Sequence, residues 1–161
     1  MAWHMVFQMP LLVLGGWLAV RALSPACSWP VLASFQRFNH FGLTGLMAAQ
    51  ILIAYWMLPL AIDRAVVLPL FDAFKLTSLF MAGVLLADAF KRAPVALQLF
   101  FMGYWLSMMA WLGIYFATTD LRLCNAYSLQ SQVNTGRGLL VLGMALGAAW
   151  AASLWRKKGS P

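Results

Sequence analysis

"PVALQLFFMGYWLSMMAWLGIYFAT", residues 94–118, runs from a proline to the edge of a polar connection without one charged side chain. A hydrocarbon core of about 30 Å is crossed by roughly 20 predominantly apolar residues in an α-helix, so this segment is long enough to span a bilayer. No water is available there for backbone N–H and C=O groups, and a crossing segment must be helical or be shielded by its neighbours. Four further apolar stretches flank it: Met5–Leu23, Phe41–Ile62, Phe74–Phe90 and Gly138–Trp155. The expected fold is all-α, a polytopic membrane helical bundle of about five transmembrane helices forming a single domain over residues 1–161.

Composition excludes the main alternatives. Of 161 residues, 63% are hydrophobic and 9% charged, with a mean hydropathy of +0.81. A water-soluble domain would lack the polar surface to cover such a chain, and no length is left over for a separate one. The net charge of +7 would suggest nucleic acid in a soluble protein. Here the cations sit at the ends of apolar runs, where positive-inside topology and lipid headgroups account for them. No nucleic-acid partner is expected.

One side of the membrane collects Arg21, Arg37, Lys91, Arg92, Arg156, Lys157 and Lys158, whereas the other carries Arg64, Lys75, Arg122 and Arg137 among Asp63, Asp72 and Asp120. Translocation is biased against positive loops. The count predicts a multi-pass protein of a bacterial-type inner (plasma) membrane, N-terminus outside and C-terminus cytoplasmic. The opening "MAWHMVFQ" has no cationic n-region and is expected to be retained. Cys27 and Cys124 fall at opposite faces and cannot pair.

On this topology His4, the connection from Asp63 to about Phe74 and the connection from Thr119 to Arg137 share the outer face, with His40 at the inner one. In "HMVFQMPLLVLG", residues 4–15, His4 and Gln8 are four apart, as are Met5 and Met9, so a helix places each pair on one side. Pro10 alternatively opens the helix proper and leaves residues 4–9 as an outer collar. Met57, at the outer end of the second span, can join them. Imidazole and thioether suit Cu(I), which makes His4, Met5, Met9 and Met57 a candidate copper site. Gap filling is the commoner reason for a methionine in an apolar interior.

Other polar and aromatic features have structural readings. "YWMLPLAID", residues 55–63, predicts a kinked helix end at Pro59, with Tyr55 and Trp56 in an interfacial belt. Asp72 and Lys75, three apart, form an ion pair at the wet interface. Gly143 and Gly147 make a small-xxx-small face for helix packing, within the bundle in preference to a partner subunit. Met144, Trp150 and Trp155 face lipid or the interface, and Trp105, Trp111 and Tyr115 recur along the fourth span as a weaker candidate for a quinone or lipid pocket. Two histidines near opposite faces cannot jointly ligate a haem, and no CxxC, HExxH or phosphate-binding glycine loop is present. An enzyme is not expected.

Three blocks, taken in order, carry a resemblance. "HMVFQMPLLVLG" is similar to a His-Met-x-x-His segment followed by Pro-Leu-Leu-x-x-Gly, "YWMLPLAIDRAV" (55–66) to a Trp-x-x-Pro-x-x-x-Asp-x-Ala block, and "CNAYSLQSQVNTGRGLL" (124–140) to a segment with Tyr and then Asp-Gln-x-x-x-Gly before the last span. Together they resemble the CtaG-like family of cytochrome c oxidase assembly proteins. His4, Asp63, Gln132 and Gly136 match the motifs, whereas Gln8, Met57 and Ser131 stand where the family has His, His and Asp. The chain is also short for this family. The resemblance implies placement beside a respiratory oxidase, either as a non-catalytic protein assisting assembly or copper delivery, or as a metal-free accessory subunit of a respiratory or other membrane oxidoreductase.

Overall fold

The computed structural model describes residues 3–23, 39–121, 123 and 127–158. A π-helical turn, Trp3–Gln8, runs into α1 (Met9–Leu23). It is followed by α2 (Leu43–Trp56), α3 (Pro59–Val67), α4 (Pro69–Arg92), α5 (Val95–Thr118) and α6 (Leu129–Lys158). Among the described residues there is no strand. Pro59 and Pro69 each open a helix and Pro94 immediately precedes α5, positions where the missing N–H leaves no intrahelical bond unmade.

Among the described residues, four helices are long and apolar enough to cross a membrane: the first, counted from Trp3, and α4, α5 and α6. The pair α2 and α3 makes a fifth, bent by 71° at a break between them. These helices fit a multi-pass membrane protein. The bend follows from Pro59, which cannot donate to an upstream carbonyl. Met57 N–H still reaches the carbonyl oxygens of Ile53 and Ala54, and the chain restarts as α3 with Ala61 N–H bonded to the Leu58 carbonyl.

The helix α4 is the hub, packed on α1 and on α2, while α5 and α6 form a second pair. Val20 packs with Val84 and Ala87, and Gly16 faces Phe80 and Val84, so α1 and α4 run parallel. Gly45 lies against Leu85 and Ala89 whereas Trp56 bonds Ser78, so α2 runs antiparallel to α4. Gly113 meets Gly136, and Gly147 meets Leu106, making α5 and α6 antiparallel. The π-helical turn closes the assembly by packing Val6 on Gly138 of α6. One end of the bundle thereby holds Met5, Met57 and Lys75, and the other holds Arg21, Asp88 and Lys91.

At the Lys91 end the start of α2 is held by polar contacts. Gly42 adopts φ 73°, and a Cβ there would sit 2.4 Å from the Ala89 carbonyl oxygen. Buried Asn39 accepts from the Gly45 N–H at 3.1 Å and donates to Asp88 at 3.3 Å. Arg92 Nε donates to both Asp88 carboxylate oxygens, at 3.1 and 3.0 Å.

Several boundaries differ from the apolar runs. α4 begins at Pro69, five residues before the expected start at Phe74, which draws Asp72 and Lys75 into its first turns. Their ion pair forms at 2.6 Å, but Lys75 is 2% exposed against 44% for Asp72, so only the carboxylate is wet. α6 begins at Leu129, not Gly138, because its polar start is satisfied locally: Ser128 Oγ accepts the Ser131 N–H at 3.3 Å and Thr135 Oγ1 donates to the Ser131 carbonyl at 2.7 Å. Trp56 lies in the core, not in a belt: it is fully buried and donates its indole N–H to Ser78 Oγ at 2.8 Å. Cys27, Arg37, Arg122 and Cys124 lie outside the described residues.

Candidate functional site

Two elements bring the candidate thioethers together. The π-helical turn and the start of α1 present Met5 and Met9 inward, and the break after α2 presents Met57 beside them. All three are at most 5% exposed and belong to one cluster with Trp56, Ile62, Leu79, Phe116 and Leu139. Met108 and Met109 of α5 pack against it. A thioether is neutral, soft and polarisable, so a cluster of them favours Cu(I) over hard cations such as Ca²⁺ or Mg²⁺.

His4 stands at the edge of that cluster, its ring against Tyr127, which packs on the cluster. Its Nδ1 is hydrogen-bonded to Gln8 Oε1 one turn on, and its ring sits edge-on to Tyr127, centroids 6.1 Å apart. It is half-buried at the rim, with Nδ1 already engaged, and borders the methionines through its neighbour Met5. Among the described residues no three His, Cys, Asp or Glu side chains gather as a metal-ligating group. The buried donors the structure brings together are the thioethers of Met5, Met9 and Met57, with the His4 imidazole at their edge beside Tyr127.

The same methionines line a cleft of about 510 Å³ between the α1, α2 and α4 layer and the α5–α6 pair, within the range of roughly 300–1,000 Å³ common for small-molecule sites. Its walls include Met5, Met9, Met57, Met102, Met108 and Met109. At the opposite mouth stand Arg21, Lys91 and Gln98. Trp105 and Trp150 also line it, and their indole nitrogens are buried without an acceptor among the described residues. Trp150 therefore faces the interior of the bundle, not lipid. Trp111 and Tyr115 point away, 72% and 42% exposed, so of the aromatic series on α5 only Trp105 belongs to a pocket.

The residues matching the family motifs have structural duties. Buried Gln132 clamps the connection before α6: its Nε2 donates to the Leu121 carbonyl at 3.1 Å and its Oε1 accepts the Leu123 N–H at 3.0 Å. Gly136 permits the closest approach of α6 to α5, since a Cβ would stand 2.5 Å from the Gly113 carbonyl oxygen. Asp63 is half-buried on α3. Gly143 and Gly147 face Met109 and Leu106 of α5, so their small face is used within the chain. His40 is exposed at the other end, beside Phe41.

Comparison with known protein families, with curated proteins and with solved structures finds no match to the chain.

Proposed function

We propose that the chain is a non-catalytic, multi-span membrane protein that holds Cu(I) transiently on the thioethers of Met5, Met9 and Met57 and assists copper delivery to, or assembly of, a respiratory cytochrome c oxidase. The observation that carries this reading is the convergence of those three buried sulfur side chains from two separate elements at one end of the bundle. His4 stands at the rim as the polar neighbour through which an ion would arrive. The oxidase connection rests on the CtaG-like likeness of the three sequence blocks. The orientation that goes with it has the Met5 end outside a bacterial-type inner membrane.

The test is a Cu(I) competition titration of the detergent-purified protein against a chromophoric Cu(I) chelator. One equivalent is expected to bind and to be lost in the Met5→Leu, Met9→Leu, Met57→Leu triple variant, which preserves volume and apolarity while removing sulfur. Absence of Cu(I) binding by the unaltered protein refutes the reading.

A metal-free accessory subunit packed against a membrane oxidoreductase is favoured by a different observation. Gly103, Ser107, Ala110 and Ile114 form an exposed stripe on α5, and a Cβ on Gly103 would meet nothing within 4 Å among the described residues. Small residues on an open helix face allow another helix to approach closely. Gentle purification separates the two roles: a subunit remains at fixed stoichiometry with its complex, whereas an assembly protein is absent from the mature enzyme.

A further inference from the structure

The cleft between α4 and the α5–α6 pair has two chemically unlike ends. From Met9 to Arg21 its α1 wall extends about 18 Å at 1.5 Å per residue. The deep end is thioether and hydrocarbon, and the mouth is cationic. Because α1 and α4 run parallel, with Val20 packed on Ala87, Arg21 and Lys91 reach the mouth at similar levels. Neither has a carboxylate within ion-pairing distance among the described residues, whereas the neighbouring Arg92 is paired with Asp88. Arg21 instead stacks its guanidinium over Trp17, 5.6 Å from the ring centroid. Deeper in, the indole N–H groups of Trp105 and Trp150 are buried donors without acceptors among the described residues.

The charged groups at this cleft, Arg21 and Lys91, are both cations. Two cations at the mouth of a long apolar cleft are complemented by a ligand with a negative charge at one end and a long apolar body. We propose that the cleft is a binding site for one anionic membrane phospholipid, its phosphate between Arg21 and Lys91 and an acyl chain running along Met102, Met108 and Met109 toward the Met5 end. A quinone supplies acceptors but no charge for the two cations. A hydrophobic partner helix supplies neither in register with them. The site is independent of copper, because its recognition groups lie at the opposite end from Met5 and Met57.

The test uses the full chain purified in mild detergent and exchanged into phosphatidylcholine with or without phosphatidylglycerol, with retained lipid read by native mass spectrometry. One phosphatidylglycerol is expected to stay bound in preference to phosphatidylcholine. Each cation near an anionic headgroup contributes about fivefold, so the Arg21→Gln, Lys91→Gln double variant loses roughly thirtyfold in preference, and Arg21→Lys with Lys91→Arg restores most of it. Ala149→Phe, which fills the cleft without touching the cations, loses the lipid as well. Equal retention of both lipids, undiminished preference in the double variant, a bound quinone, or a protein cross-linked through position 149 overturns the proposal.

Discussion

Gly16 and Gly83 face each other where α1 crosses α4. A Cβ on Gly16 would lie 2.0 Å from the Phe80 carbonyl oxygen, and one on Gly83 would lie 2.0 Å from the Val13 carbonyl oxygen. Both obstacles are backbone, which cannot rotate away as a side chain can. In hydrocarbon, such close approach is a main source of helix association, since apolar side chains gain little by leaving lipid. Gly83→Ala is therefore expected to cost on the order of 3 kcal/mol, lowering the melting temperature in detergent by roughly 5–10 °C. Gly103→Ala, whose Cβ enters open space, is expected to leave it unchanged or raise it slightly. A scan of intrinsic fluorescence against temperature on both variants checks the contrast.

The crossing at Gly16 and Gly83 explains what was legible in the sequence and what was not. A pair on one helix, such as Gly143 and Gly147, stands out as a motif, yet a Cβ on Gly143 would meet nothing nearer than 3.5 Å. The tight contacts, Gly16 with α4 and Gly113 with Gly136, are split between helices and have no linear signature. The helices themselves were legible because hydrocarbon forces long apolar runs, and the meeting of Met5, Met9 and Met57 followed from both segments ending on one side. The placement of His4 at the edge of that cluster depends on a bond to Gln8, invisible as such in the chain, and on a ring contact with Tyr127, which packs on the cluster. Helix starts have no apolar signature wherever proline or a serine cap extends a helix into polar residues, as at Pro69 and Ser128.

Gln132 is expected to control the connection before α6. Gln132→Ala removes both of its bonds, to the Leu121 carbonyl and the Leu123 N–H. Gln132→Glu keeps the acceptor for Leu123 but turns the donor to Leu121 into a second oxygen in a buried position, where a carboxylate is poorly tolerated. Hydrogen exchange at the Leu123 amide should accelerate about tenfold in Gln132→Ala, the equivalent of one lost bond of about 1.4 kcal/mol. In Gln132→Glu, opening should spread to the Leu121 segment while the Leu123 contact persists at low pH. Mass-resolved exchange over residues 119–128 separates the two.

The indole of Trp56 and the hydroxyl of Ser78 form the buried link between α2 and α4, 2.8 Å apart. Trp56→Phe keeps most of the ring but leaves Ser78 without that donor, and Ser78→Ala leaves a buried indole N–H without an acceptor. Each is expected to cost about 1–2 kcal/mol. The double variant removes both orphaned partners, so its cost should fall short of the sum by about 1 kcal/mol. Additive losses in chemical unfolding would show that packing of the Trp56 ring, and not the bond, holds the two helices together here.

Lys75 and Asp72 share an ion pair of unequal depth, 2% and 44% exposed, and this asymmetry predicts unequal variants. Asp72→Asn strands a buried ammonium among apolar neighbours, whereas Lys75→Met strands a carboxylate that water already reaches and fills the buried space with a chain of similar length. Breaking a buried pair from the wet side is expected to cost about 3 kcal/mol, because the uncompensated charge stays inside. Replacing the buried partner by an apolar group of similar volume should be near neutral, as the desolvation penalty of the ammonium disappears with it. Lys75 lies one turn from Ser78, whose hydroxyl donates to the Lys75 carbonyl at 3.1 Å, so the damage in Asp72→Asn should spread to the Trp56 link. Tryptophan emission is then expected to shift to the red in Asp72→Asn and to stay in place in Lys75→Met, and equal behaviour of the two variants would place the ammonium in contact with water.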